Sequence, residues 1–403
     1  MKSITFRSVR VIDGTGRTIE RATVVVRGTT IAAIGSDRDL SAPRGAIKID
    51  GRGLTLLPGL IDCHVHLCLG AEPDVVDAIA QETPALTLLK SSSAARQTLE
   101  AGVTTVRDVG SRDHSIFALQ RAIERGLVLG PRVVAAGQAI CMIGGHARFI
   151  GQEVEGAEQV RSVVRAQIAA GAAVIKVVAS GGVLTPGTSP DQAQMTIEEL
   201  QAAVEEAQRA GRKVAAHAHG SAGMKNAVRA GVHSIEHATL MDEEAAAMMK
   251  RQSVFMVPTL SALATTAACR LGCGIPESAL NKAKSMTKRH QLSFKNALRD
   301  GILIAMGTDA GTPFNFHGQN TQELERMVAL GMSPMQAILA STSAAARLIG
   351  IQDRVGTIEK GKLADLLLLE GNPLRRIDLL RDRSRIIGVM QSGRIVAGPL
   401  SQT

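Results

Sequence analysis

Between residues 60 and 348 the chain switches eight times between a short apolar run and a stretch of helical periodicity. The apolar runs fall near 60–66, 103–109, 132–137, 174–179, 213–218, 233–237, 253–258 and 302–308. The helical stretches fall near 85–101, 115–125, 157–170, 196–210, 221–230, 242–251, 278–299 and 320–348. Continuous apolar runs of this length suit strands covered on both faces, and an intervening helix is the usual crossover between parallel strands. Eight such units predict an α/β chain whose centre is a (β/α)8 TIM barrel of about 290 residues.

The two ends are written differently. Ile4–Ile12, Ala22–Gly28 and Thr30–Gly35 are short β-rich runs punctuated by glycine, and the style returns in Ala364–Leu369, Ile386–Met390 and Gly393–Val396. Such runs read as antiparallel strands. The expected layout is therefore a small composite β-sandwich from residues 1–57 and 354–403, with the barrel at 58–353.

Composition narrows the class. The chain is 45% hydrophobic and 21% charged, which fits a soluble globular protein and excludes disorder, collagen and coiled coil. No apolar run approaches the roughly 18 residues of a membrane helix, and Met1–Arg7 has no apolar leader core, so no membrane partner and a cytoplasmic location are expected. The five cysteines, Cys63, Cys68, Cys141, Cys269 and Cys273, form no CxxC pair; all are expected to be small buried hydrophobes rather than a disulfide framework or zinc site. Net charge is +9, yet there is no Trp or Tyr to stack bases, and acidic residues interrupt the basic stretch 375–385. No nucleic-acid partner is expected.

Chemistry-bearing residues gather at the C-terminal ends of the expected strands, where barrels keep their sites. His64 and His66 lie two apart on the first strand, so both can face one side and bind one metal. Lys176 sits inside Val174–Val178, where an unpaired lysine is unusual. It is either an edge or salt-bridged residue, or an amine desolvated enough to be partly neutral. In the second case it can add CO2 and become a carbamate whose two oxygens bridge two cations. His217 and His219 end the fifth strand, His237 the sixth and Asp309 the eighth. Leaving His219 aside, six such residues on five strands in consistent register are hard to attribute to packing.

These residues carry a resemblance. Pro58-Gly59-Leu60-Ile61-Asp62-Cys63-His64-Val65-His66, Lys176, His217, His237 and Thr308-Asp309-Ala310 resemble the motifs of the amidohydrolase superfamily along essentially the whole chain. Gly144-Gly145-His146, Ala179-Ser180-Gly181-Gly182, His217-Ala218-His219-Gly220 and Gly311-Thr312-Pro313-Phe314 are similar to the branch holding Xaa-Pro dipeptidases, basic-residue carboxypeptidases, ochratoxin-type amidases and imidazolonepropionase-like proteins. The resemblance implies two divalent metals, with zinc the first expectation. His64, His66 and Asp309 would hold one, His217 and His237 the other, and carboxylated Lys176 together with a hydroxide would bridge them. It further implies Asp309 as proton shuttle and His219 as a contact to the substrate carbonyl, or else a hydrogen bonder outside the metal shell.

The substrate expected on this basis is an amide with a free carboxylate, a dipeptide or N-acyl amino acid; a cyclic amide or carboxylester is the alternative. His146, in a glycine loop, and Arg148, a carboxylate clamp or a solvated loop arginine, are candidate substrate contacts. So are His317 and Thr259. Deamination fits less well, because Lys176 is present and Ser221-Ala222-Gly223 brings no glutamate after the fifth strand. Without tyrosine, the contact that an aromatic hydroxyl would make to substrate falls to His, Ser or Thr, or is absent. A homo-oligomer is expected.

Overall fold

The computed structural model describes residues 3–402; Met1 and Lys2, which head the stretch read for a leader, lie outside the described residues. Its centre is parallel. Six strands run in the order Gly151–Val154, Ala139–Met142, Val174–Val178, Lys213–Gly220, Ser234–Leu240 and Phe255–Val257, and three more in the order Leu60–Val65, Val103–Asp108 and Arg132–Ala135. Every neighbouring pair in these two sheets is parallel. Crossover helices such as Pro84–Glu100, Gly156–Ala170 and Ile197–Arg209 make that possible. The amide of Ala173 reaches the carbonyl of Ala135 at 2.9 Å, linking the two sheets at one side.

On the other side lies residues 302–310, expected as an eighth strand. It is not a continuous strand: only isolated bridges form, Ile304 with Met256 and Ala310 with Val65. Its donors are spent elsewhere. Met306 N–H bonds the Ala340 carbonyl at 2.8 Å, and Thr308 N–H bonds the Asp62 carboxylate at 3.1 Å. At Gly307 the backbone passes so close to Val257 and His64 that a side chain would collide with both. The segment still joins its neighbours, through Ala305 N–H to Met256 O at 3.0 Å and Cys63 N–H to Met306 O at 2.9 Å.

The helix expected over 320–348 is three: Gln322–Ala329, Pro334–Ala340 and Ser343–Ile349. Gly331, at φ 112°, ends the first, and Ser333 caps the second in a capping box with Pro334 at its first turn.

Both ends of the chain meet in one eight-stranded mixed sheet. Its order is Arg394–Ala397, Ile386–Gln391, Leu366–Glu370, Leu54–Pro58, Ser3–Ile12, Thr18–Arg27 and Thr30–Ser36, with Ile47–Asp50 beside Ser3–Ile12. The antiparallel pairing of Leu366–Glu370 with Leu54–Pro58 stitches the C-terminal strands to the N-terminal ones. Alternation then divides the leucines. Leu366 and Leu368 pack with Phe6, Val24 and Leu56, whereas Leu367 and Leu369 join the core of the parallel sheets.

One cysteine expectation fails. Cys63, Cys68 and Cys141 are free and buried, but Cys269 and Cys273 are bonded to each other. The helix Leu260–Ala268 stops at Cys269, and the following turn brings the two Cα atoms to 6.3 Å, within disulfide reach. Among the described residues no helix is long and apolar enough to cross a membrane.

Candidate active site

The strand ends converge on one cavity. His64, His66, His146, Lys176, His217, His219, His237, Thr259 and Asp309 all line it. Two donor triads form. In the first, one Asp309 carboxylate oxygen lies 3.3 Å from Nε2 of His64 and 3.3 Å from Nε2 of His66. In the second, the nearest ring nitrogens of His217, His219 and His237 lie within 4.8 Å of one another. The rings of His64 and His237, 5.0 Å apart, connect the triads. His237, Thr259 and Asp309 sit in the left-handed region at φ 72°, 52° and 60°. Non-glycine residues are held there only where surrounding structure compensates.

Hydrogen bonds at the rear of each ring decide which nitrogen faces the cavity. His64 Nδ1 meets the Glu236 carboxylate at 2.7 Å and His66 Nδ1 the Gly110 carbonyl at 2.9 Å. Both acceptors hold a hydrogen on Nδ1, so a neutral ring offers its Nε2 lone pair to an ion, whereas a protonated ring turns Nε2–H to Asp309. Thr259 donates its hydroxyl to Pro258 O at 2.7 Å and is left to accept from His237 Nδ1 at 2.7 Å, which again frees Nε2. His217 does the reverse. Its Nε2 donates to Gly181 O at 3.2 Å and leaves Nδ1 free. Metal-binding histidines are ordinarily fixed in this way by an acceptor behind the ring.

The electrostatics agree with a cation site. Burial, and then the neighbouring histidines, hold His217 and His237 well below the ordinary imidazole range. Burial alone would raise the Asp309 carboxyl, but His64 and His66 outweigh it and keep it ionised. Lys176 is brought down to about 8, chiefly by burial, with Glu236 opposing and Arg107 assisting. Its Nζ is buried and has no hydrogen-bond partner among the described residues. An orphaned amine beside inward lone pairs and an ionised carboxylate is a donor set for divalent metals that take imidazole and oxygen ligands.

Sequence reasoning missed the frame behind these ligands. Arg107, fully buried, donates to Glu236 at 2.8 and 2.9 Å, to Ser234 Oγ at 3.0 Å and to Cys63 O at 2.5 Å. Burial works against the Glu236 charge, yet Arg107 and His64 pull its pKa down to about 2. Asp62 likewise ties the first strand to the 302–310 segment, accepting from His64 N, Thr308 N, Thr308 Oγ1 and Asn320 Nδ2 at 2.6 to 3.1 Å. The signal was available: Arg107 and Glu236, like Lys176, are charges inside apolar strands. We expect Glu236→Gln to weaken metal affinity by about 10- to 100-fold, because His64 loses its anionic acceptor. Competition with a chromogenic chelator measures this, and unchanged affinity would show the brace to be dispensable.

The expected substrate contacts fare unequally. His146 lies against His217 with ring centres 4.6 Å apart, and its Nδ1 meets Thr185 Oγ1 at 2.9 Å. Burial pushes its pKa down to about 3, so the ring is neutral. Gly182 must be glycine here, since a Cβ would collide with the His146 imidazole. Thr259 lines the cavity and orients His237. His219, expected beside substrate, also stands among the second triad, its Nδ1 2.7 Å from Thr239 Oγ1. Arg148 and His317 are not brought to the cavity lining. The short turn Arg148–Ile150, entered through Ala147 at φ 63°, sends Phe149 and Ile150 to the cavity and leaves Arg148 exposed. His317 donates instead to the Leu69 carbonyl at 3.0 Å and braces the loop after the first strand.

The chain belongs to the amidohydrolase family, whose model matches residues 55–396. It is 32% identical to the ochratoxinase of Aspergillus niger over 96% of this chain and 85% of that protein. Among solved structures it is similar to a Xaa-Pro dipeptidase with methionine bound in its active site, at 35% identity, TM-score 0.91 and coverage of 98% of this chain and 100% of the other. A prolidase complexed with N-methylphosphonate-L-proline is similar at 32% identity, TM-score 0.92 and coverage of 98% and 99%.

Proposed function

We propose that this chain is a binuclear metal-dependent hydrolase that cleaves the amide C–N bond of a dipeptide or N-acyl amino acid. The observation that carries the reading is the pair of inward-facing donor triads in one cavity with a buried, unpartnered Lys176. The parallel sheets and the 302–310 segment are read as a (β/α)8 barrel spanning 58–353, with 1–57 and 354–403 as the composite β-domain.

His64, His66 and Asp309 would hold one ion and His217 and His237 the second, with Lys176, carboxylated, shared between them. Zinc suits this set best. Bound there, such ions make water a nucleophile near neutral pH and polarise the scissile carbonyl. The chain's own residues do the rest. His219, a neutral ring of the second triad assigned to neither ion, contacts the carbonyl oxygen of the substrate. Asp309 accepts the proton of the attacking water on its carboxylate and returns it to the departing nitrogen, so that amide and water leave as carboxylate and amine. The relatives support the substrate class: one is described as a Xaa-Pro dipeptidase, one as a prolidase and one as an ochratoxinase.

The test is metal analysis together with amino-acid release from Xaa-Pro, Xaa-Arg, Xaa-Lys and aromatic dipeptides and from N-acyl amino acids. Two ions per chain are expected, with release that a chelator abolishes and zinc restores. Release that survives complete metal removal would overturn the reading. Silence across the panel with two ions bound would move the substrate to a cyclic amide or ester.

A further inference from the structure

The cavity wall outside the metal donors is apolar on both sides. Leu69, Phe149 and Ile150 belong to one packed cluster, Val183 and Leu263 to another, and Leu184 packs against both. Among the described residues Asp309 is the only carboxylate in the lining and Lys176 the only ammonium, and both belong to the metal donor set. The nearby cation Lys282 is already spent. Its ammonium donates to the carbonyls of Gly182, Thr185 and Thr188 at 3.3, 3.1 and 2.7 Å, filling its three donor positions while pinning the loop that carries Val183 and Leu184. Arg148 is exposed and outside the lining.

From this we infer that the substrate presents only apolar side chains to this sleeve, aliphatic or aromatic, and that basic side chains are rejected. The inference rests on the proposed amide hydrolysis and selects within it. A lysine or arginine side chain entering the sleeve would lose its hydration and find no carboxylate beyond Asp309, which belongs to the metal donor set. A site that leaves a charge unpaired discriminates strongly, whereas one that varies only in apolar volume discriminates by small factors.

The experiment uses the metal-loaded full chain and two dipeptide series, Ala-Xaa and Xaa-Ala, with Xaa Leu, Met, Phe, Arg or Lys. In whichever series is cleaved, the apolar members should exceed the Arg and Lys ones by at least about tenfold in kcat/KM. Arg or Lys members turned over as well as Leu overturn the inference. Binding is read separately, as the shift in melting temperature given by N-acetyl-Leu, N-acetyl-Met and N-acetyl-Phe against N-acetyl-Arg and N-acetyl-Lys. Apolar ligands that bind without any dipeptide being cleaved would sink the dipeptidase reading and uphold the sleeve. Equal shifts from apolar and basic ligands would sink the sleeve even if dipeptides are hydrolysed. Leu184→Asp, at a half-buried position, places a carboxylate on the wall and should raise the Arg-to-Leu preference by about tenfold; Phe149→Glu is the second variant. Preferences unchanged in both folded variants would show that these walls do not read the substrate.

Discussion

Lys176→Ala is expected to abolish two-metal binding and to remove turnover with it. Lys176 is buried on a central strand, its Nζ has no partner among the described residues, and it faces the same cavity as both donor triads. An amine there has two ways to be satisfied. It can stay neutral, or it can add CO2, lose a proton and become an anion whose two oxygens serve two cations. The second supplies the negative charge that two adjacent divalent ions need, since the other donors are neutral imidazoles and one carboxylate. Without it, metal content should fall from two ions per chain to one or none. Folding should survive, because the variant deletes an unpartnered polar group rather than a bonded one. The metal-free variant should therefore melt no lower than the metal-free parent, while the parent gains more stability than the variant on adding zinc. Two ions per chain with full activity in Lys176→Ala would refute the bridging role.

That this position drew attention from the sequence alone is instructive. A lysine within Val174–Val178 conflicts with its surroundings, and such conflicts collect at functional sites. The same logic applied to Arg107 and Glu236 but went unused, because neither matches a ligand spacing. Their meaning emerges only when the folded chain places both behind His64. Periodicity located seven of the eight expected strands. The 302–310 segment reads as apolar strand but gives its donors to Asp62 and Ala340, long-range partners that local pattern cannot name. The break inside 320–348, by contrast, was readable: Gly331-Met332-Ser333-Pro334 is a helix stop followed by a start. Arg148 shows the opposite failure. Its residue type suited a carboxylate clamp, but the left-handed turn at Ala147 fixes its direction, and direction is not a property of residue type. The apolar members of the cavity wall were likewise invisible, since an isolated Phe149 or Leu263 reads as ordinary core.

Asp309→Asn separates metal binding from proton transfer. Asparagine keeps the shape and an oxygen that can still face His64 and His66, but it neither accepts nor releases a proton at working pH. If Asp309 carries the proton from the attacking water to the departing amine, kcat should fall by about two to four orders of magnitude, the range general acid–base catalysis supplies. Metal content, measured on the same preparation, should fall far less. The pH profile provides a second readout. The contacts with His64 and His66 hold the Asp309 pKa well below the ordinary carboxylate value, against the opposing effect of burial. A group with a depressed pKa is ionised above it and protonated only as pH falls through it. Any acid-side decline that belongs to Asp309 should therefore fall well below the ordinary carboxylate range, and the Asn variant should lack it. A loss smaller than about tenfold with metals retained would reduce Asp309 to a weak ligand and assign the proton to another group in the lining, His219 first, since its neutral ring lines the cavity and is assigned to neither ion.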